Sequence, residues 1–287
     1  MSILEVKNLT HSYSGNTPFV NDAVSGVSFT AEKGEIIGII GHTGSGKSTL
    51  VQHLNGLLKP TAGEVFVDGE NIWQNPKEIR KIRSKVGLVF QYPEYQLFEE
   101  TVYADIAFGP KNMGIEGDEL DERVRETCRL IGVKDEYLEK SPFDLSGGEK
   151  RRVAIAGVMA MKPEIIVFDE PTAGLDPAGR ENITGIIGDY RAATGATVII
   201  ISHSMEDMAV LADRLLVMNN GALVMFDTVE NVFKKGDELR KIGLNVPIVT
   251  RVFDRLREAG LALPDDVFTV ERAVEVLKSF KAGAENA

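Results

Sequence analysis

The chain has 287 residues, 43% of them hydrophobic, which is enough apolar sequence for one large or two modest globular domains and argues against a disordered chain. Its formal net charge of −11 and pI near 5.0 argue against a nucleic-acid coat, because phosphate backbones are held mainly by basic patches and no basic run offsets the acidity. A single cysteine rules out an intramolecular disulfide and fits a reducing cytosol, and the absence of a basic leader or of any stretch of about eighteen apolar residues predicts a soluble chain without a bilayer span.

Residues 3–6 and 24–29 alternate apolar and polar and predict strands, separated by a Ser-Gly-Asn-Thr-Pro turn cluster at residues 14–18. Tyr13 lies between them; taken alone it is either core or an aromatic able to stack on an adenine. The apolar run 36–40 leads into Gly41-His42-Thr43-Gly44-Ser45-Gly46-Lys47-Ser48, and Thr49 to Leu54 read as the first turns of a helix. Strand, glycine-rich loop, helix is the setting a phosphate-binding loop requires. Gly41, Gly44 and Gly46 let main-chain N–H groups converge on phosphate oxygens at a positive helix end. Lys47 is expected to reach the β and γ phosphates and Ser48 a magnesium ion, while His42 and Thr43 fill variable positions and do no chemistry. The rival is a glycine turn with no ligand.

Residues 63–72 read as a hairpin turned at Asp68-Gly69, with Trp73 packing after it. A short buried strand over 86–90 delivers Gln91 at its carboxyl end, where ligands sit in open α/β sheets, although a strand-end glutamine is ordinarily a polar stop. From about 93 to 161 the character turns helical: Leu120, Val124, Cys128 and Ile131 share one helix face, which makes Cys128 structural, and Met159 and Met161 are expected to fill core gaps. Apolar runs 165–168 and 198–201 end in Asp169-Glu170 and Ser202-His203. Three such strands imply a parallel sheet with one working edge. A hairpin over 214–226, turning at Asn219-Asn220-Gly221, closes the sheet. Beyond about 235 only helices are expected, with Val249, Val252, Phe253 and Leu256 on one face, Val270, Ala273, Val274 and Leu277 on another, Thr269 as an N-cap and a frayed end from Lys281. This appendage has nine acidic and eight basic residues from 237 onward, so the net charge belongs to the first part.

Between the helical insert and the Asp-Glu strand stands Leu145-Ser146-Gly147-Gly148-Glu149-Lys150-Arg151-Arg152. Here the sequence closely resembles the ATP-binding-cassette (ABC) family, whose signature motif this matches. Tyr13, the phosphate loop, Gln91, the signature, Asp169-Glu170, Ala173-Gly-Leu-Asp176 and His203 then fall in the family's order over residues 1 to about 230. The resemblance implies an α/β fold: a P-loop NTPase core with a mixed sheet and helical subdomain (nucleotide-binding domain 1–235, subdomain about 93–161) and a small C-terminal helical domain, 236–287, for dimerisation or regulation.

It also implies ATP and Mg2+ as ligands. Tyr13 would stack on the base, residues 41–49 including Thr49 would wrap the phosphates, and Asp169, Ser48 and Gln91 would serve the metal. Glu170 would orient or deprotonate the attacking water, His203 would contact the γ phosphate and link the base to substrate, and Gln91 would sense the metal or the water. Ser146, Gly147, Gly148 and Glu149 would close on the ATP of a second subunit, and Asp176 would sit at that interface.

The segment 91–110, the run 152–161 and the helical tail resemble the ATPases of energy-coupling-factor transporters, importers of vitamins and transition-metal ions, and within them the second member of an ATPase pair. That likeness implies a heterodimer, though a homodimer stays open, together with a transmembrane coupling protein, a membrane substrate-binding subunit, and a peripheral place on the cytoplasmic face of the cell membrane. Glu94, Glu99, Glu100 and Asp105, with Leu97 and Phe98, are expected to form an acidic and apolar groove for arginine-bearing helices of the membrane partner. A DNA-maintenance ATPase would carry a long coiled coil between phosphate loop and signature, a translation-associated protein usually two cassettes, and a simple P-loop kinase or GTPase would leave the signature unexplained.

Overall fold

The computed structural model describes residues 2–13 and 22–285; the expected turn at 14–18 and the last two residues lie outside them. Strands β1 (Ser2–Ser12) and β2 (Asp22–Glu32) precede β3 (Ile36–Ile40), and α1 (Lys47–Leu54) follows the glycine loop. β4 (Ala62–Val67) and β5 (Glu70–Asn71) form the expected hairpin, whose turn residues Asp68 and Gly69 have φ of 51° and 78°. Positive angles at both central positions match the right-handed twist of the strands. Next come α2 (Ile79–Lys85), β6 (Val86–Val89), α3 (Val102–Asn112), α4 (Gly117–Ile131) and α5 (Gly147–Met159). The chain continues through β7 (Ile165–Asp169), α6 (Pro177–Thr194), β8 (Thr197–Ile201), α7 (Met205–Leu211), β9 (Arg214–Asn219) and β10 (Ala222–Thr228). Four helices end it: α8 (Val229–Phe233), α9 (Gly236–Lys241), α10 (Ile248–Glu258) and α11 (Val270–Glu285).

A six-stranded sheet in the order β10-β9-β3-β8-β7-β6 is parallel except for edge strand β10, and a four-stranded antiparallel sheet runs β2-β1-β4-β5. Strands β3, β6, β7 and β8 are buried along their whole length because both sheet faces are covered. Alternation of side chains then divides the apolar residues into two cores. Ile37, Ile39, Val167 and Ile199 pack with Leu50 and Leu54 of α1 and with Val6 and Val65 of the small sheet. Ile36, Ile40, Phe168 and Ile200 pack with Ile106 of α3, Val153 of α5 and Ile187 of α6.

Leu120, Val124, Cys128 and Ile131 form the buried stripe of α4, and burial pushes the Cys128 thiol up to about 11, so it is inert packing. Met159 is in the core, but Met161 differs from expectation: it sits just past the end of α5 and lines a surface groove. In the tail, Leu239, Leu244, Val246 and Phe268 belong to the larger core, whereas Phe253, Leu263, Val267 and Ala273 form a small separate cluster. The Thr269 hydroxyl accepts from Arg272 N–H as the cap of α11, which runs to Glu285 instead of fraying from Lys281. Among the described residues no helix is long and apolar enough to cross a membrane.

Candidate active site

Four parallel strands end on one edge, and each hands a polar group to it. β3 runs into the glycine loop, β6 delivers Gln91, β7 ends at Asp169, and β8 is followed by Ser202 and His203. The loop is held by backbone bonds, one internal and one from the β9–β10 turn: Ser45 N–H donates to the His42 carbonyl at 3.1 Å, and Gly221 N–H donates to the Ser45 carbonyl at 3.1 Å. Gly46 has φ of 95°, and a Cβ there would run into the Ala23 carbonyl oxygen, so only glycine fits.

Lys47 is buried, and its Nζ donates to the carbonyls of Gly41 at 2.8 Å and His42 at 3.0 Å, which aims the ammonium across the mouth of the loop. Burial lowers its pKa, and the nearby Glu170 and Asp169 carboxylates oppose that shift and favour the cation. The Ser48 hydroxyl bonds to the Asp169 carboxylate, whose pKa is raised chiefly by burial and further by Glu170. A hydroxyl and an acid joined in this way form a hard-oxygen donor set suited to Mg2+. The Ser45 hydroxyl is fully buried and without a hydrogen-bond partner among the described residues. His42 bonds to the Thr43 carbonyl and to Asn219 Oδ1 at 2.8 and 2.9 Å, which anchors the loop to the end of β9.

Glu170 is gripped from two sides: Gln91 Nε2 donates to its Oε2 at 2.9 Å and His203 Nε2 lies 2.7 Å from its Oε1. These bonds bring Gln91, Glu170 and His203 together. Tyr13 is 64% exposed, with its ring edge-to-face against His11 at 4.7 Å and its hydroxyl 3.1 Å from the Thr49 hydroxyl, beside the start of α1. Ser146 caps α5, and the Glu149 carboxylate accepts from its N–H at 2.8 Å and its hydroxyl at 2.6 Å, bonds that hold the Glu149 pKa down to about 2. Ser146, Gly147 and Gly148 face outward, with nothing within 4 Å of a Cβ built on either glycine. Asp176 is likewise exposed; its Oδ1 accepts from Gly179 N–H at 2.7 Å as the cap of α6.

Three of the four acids expected in the partner groove lie elsewhere. Glu94 does not face a partner groove: it makes a bidentate pair with the buried Arg151, Nε to Oε2 at 2.9 Å and Nη2 to Oε1 at 2.7 Å, because an arginine on the buried side of α5 requires a counter-charge. Glu99 and Glu100 do not line the groove either. The groove itself, about 640 Å3, is lined by Leu97, Phe98, Phe108, Met161 and Arg83, with Asp105 buried in it. Arg151 was absent from the sequence expectations. It falls four residues before the buried Ile155, and a cation at a core-facing helical position is itself a signal of a buried partner.

The sequence pattern of the ABC transporter family matches residues 24–173. Over 275 residues the chain is 51% identical to the energy-coupling factor transporter ATP-binding protein EcfA2 of Clostridium perfringens (strain 13 / Type A), covering 96% of each protein. The chain belongs to the energy-coupling factor ATP-binding proteins of the ABC transporter family. It is 52% identical over 281 residues to EcfA2 of Clostridioides difficile (strain 630), with 97% of each covered. Among solved structures, cbiO1 from Clostridium perfringens, part of the ABC transporter complex cbiONQ, aligns with a TM-score of 0.75 at 36% identity, over 88% of this chain and 99% of that one. An ATP-binding cassette solved as a dimer in a post-hydrolysis state with ADP and Pi aligns with a TM-score of 0.71 at 28% identity, over 79% of this chain and 98% of that one. As an ABC ATPase, this energy-coupling factor subunit hydrolyses ATP to drive transport.

Proposed function

We propose that this ATPase works as half of a pair, with each ATP gripped by the phosphate loop of one subunit and closed over by the signature of the other. The carrying observation is the outward-facing start of α5, where Ser146, Gly147 and Gly148 present a helix N-terminus with no neighbour of their own chain over the two glycines. Such an end is an anion cradle, and a γ phosphate held by a facing subunit is the anion it suits. Tyr13 offers its exposed ring to the adenine and Lys47 its ammonium to the β and γ phosphates. Asp176 lies at the subunit junction.

Ser48 and Asp169 would hold Mg2+, with Gln91 nearby; the ion supplies charge compensation on the phosphates. Glu170 orients and deprotonates the attacking water, while His203 and Gln91 fix the carboxylate that does so. Each of those two bonds restricts the side chain before substrate arrives, which lowers the cost of reaching the reactive arrangement.

Pairing with a distinct second ATPase follows from the likeness to EcfA2 proteins, and residues 236–287 would strengthen the pair through the exposed Val270, Val274 and Leu277 of α11. The groove beside Asp105 is the seat for a cationic helix of a transmembrane coupling protein. Asp105 is buried, and among the described residues the N–H groups of Phe98 and Glu99 donate to it, both at 3.3 Å, and burial raises its pKa. An arginine from outside would satisfy it, and Leu97, Phe98 and Phe108 would cover the arginine's stem. The subunit then sits peripherally on the cytoplasmic face of the membrane, in an importer for vitamins or transition-metal ions whose selectivity lies in a membrane substrate-binding subunit.

The test is copurification. Phe98→Arg with Asp105→Asn, which removes the charge and keeps an acceptor for one of the two N–H groups, should abolish recovery of membrane subunits while nucleotide binding persists. Normal recovery would remove the groove from its role.

A further inference from the structure

Three described residues other than glycine take left-handed backbone angles immediately before a proline: Tyr92, φ 55°, before Pro93, Lys162, φ 51°, before Pro163, and Glu170, φ 50°, before Pro171; two of them, Tyr92 and Glu170, border the candidate site. Both conformations are strained, since the proline ring disfavours compact angles at the residue before it and a side chain disfavours positive φ. Strain of this kind persists only where surrounding contacts enforce it. The first turn follows Gln91, and the second carries Glu170 itself.

Arg151 touches both. Its guanidinium carbon lies 5.7 Å from the centre of the Tyr92 ring, and its Nε and Nη2 grip Glu94, two residues beyond Tyr92. From the same guanidinium Nη1 donates to the carbonyls of Pro171 at 3.3 Å and Ala173 at 2.7 Å, the residues that follow Glu170. The planar fork thus spans the gap between two loops that meet again at the Gln91–Glu170 hydrogen bond. Arg151 is only 3% exposed and belongs to α5, the helix whose start carries the signature and whose Val153, Ala154 and Gly157 line the groove.

We infer that Arg151, oriented by Glu94, is a positioning residue for hydrolysis: it locks the two pre-proline turns so that Gln91 and Glu170 converge on the attacking water, and it ties that geometry to the signature helix. This rests on Glu170 as the water-orienting carboxylate. Arg151 itself contacts no substrate. Its loss should leave nucleotide affinity intact and misplace Glu170, and displacements of about 1 Å at a reacting group can slow chemistry on the order of a hundredfold.

Three variants of the full chain, Arg151→Lys, Glu94→Gln/Arg151→Met and Glu170→Gln, are compared in the assembly in which the wild type hydrolyses ATP. The readouts are ATP affinity with a fluorescent analogue, kcat and KM for ATP, and melting temperature. Arg151→Lys keeps the charge beside Glu94 but cannot span both loops; the double variant removes both charges together, so no unpaired ion remains buried. Both should bind ATP within about twofold of wild type and lose kcat by about tenfold or more at unchanged KM. Wild-type kcat in Arg151→Lys, or in whichever of the two variants folds, overturns the inference, as does a rise in KM with kcat preserved. Active Glu170→Gln would overturn the reading of Glu170 instead; inactive Glu170→Gln beside fully active Arg151 variants would overturn the role of Arg151 alone.

Discussion

Lys47 lies close enough to Glu170 for the carboxylate to favour its cation, yet the two side chains have different surroundings. Lys47 is buried and bonded to two loop carbonyls, so its charge serves binding. Lys47→Ala should weaken ATP affinity by about 10- to 100-fold, the worth of a charged hydrogen bond, read by nucleotide titration. Glu170 is held by Gln91 and His203, so its loss should spare binding and slow hydrolysis by roughly 10²- to 10⁴-fold in Glu170→Gln, leaving ATP trapped in a closed pair. Unchanged turnover would remove Glu170 from that role.

His53 makes a different kind of prediction. It is fully buried on α1, edge-on to the His11 ring at 4.7 Å, and burial lowers its pKa from 6.5 to about 4. Above pH 6.5 it is neutral whether the chain is folded or unfolded and has no effect. As pH falls from 6.5 to 4 the unfolded chain takes up a proton that the folded one refuses, so stability drops, by roughly 3 kcal/mol in all at about 1.4 kcal/mol per pH unit. His53→Phe should flatten that loss in denaturant titrations at pH 7.5 and 4.5; an equal loss in the variant would assign the acid sensitivity to other groups. The glycine loop, Asp169-Glu170 and His203 were legible from sequence because each stands at the end of an apolar run. Arg151 and Glu94 were not, because their pairing joins residues 57 positions apart and only burial makes it necessary.

The central strands were legible for the same reason: residues 36–40, 165–168 and 198–201 are unbroken apolar runs, and a strand covered on both faces has no polar side to interrupt it. The outer sheet was under-read. Its strands β1 and β2 reach eleven residues each, about twice the expected spans, because β-bulges carry the pairing past residues such as Asn8 where alternation lapses. The join between β3 and α1 depends on Gly46. Gly46→Ala forces a side chain into the left-handed region and against Ala23, which should cost roughly 1–3 kcal/mol of stability and abolish ATP binding together. A variant that melts like wild type and binds ATP would show that the loop can re-form without glycine there.

Across the molecule, one sheet separates a core that carries the phosphate loop from a core that carries the signature helix, so the two motifs of one chain belong to opposite sides of it. The tail packs partly on the second core and presents Val270, Val274 and Leu277, which are 63%, 43% and 46% exposed. The helical periodicity of the tail announced that apolar face but not that Leu239, Leu244 and Val246 would join the main core, a long-range contact that no local pattern encodes. Val274→Lys with Leu277→Glu should weaken association with the second ATPase, seen by sedimentation, and leave nucleotide affinity unchanged; full association would release the tail from pairing. The proposed mechanism requires ATP to be shared between two cassettes. A structure of the Glu170→Gln chain, assembled with its ATPase partner and bound to ATP and Mg2+, decides it: a triphosphate contacted by Lys47 of this chain and by the signature of the facing subunit is the predicted result, and a triphosphate enclosed by one polypeptide, with Ser146 left in solvent, would contradict it.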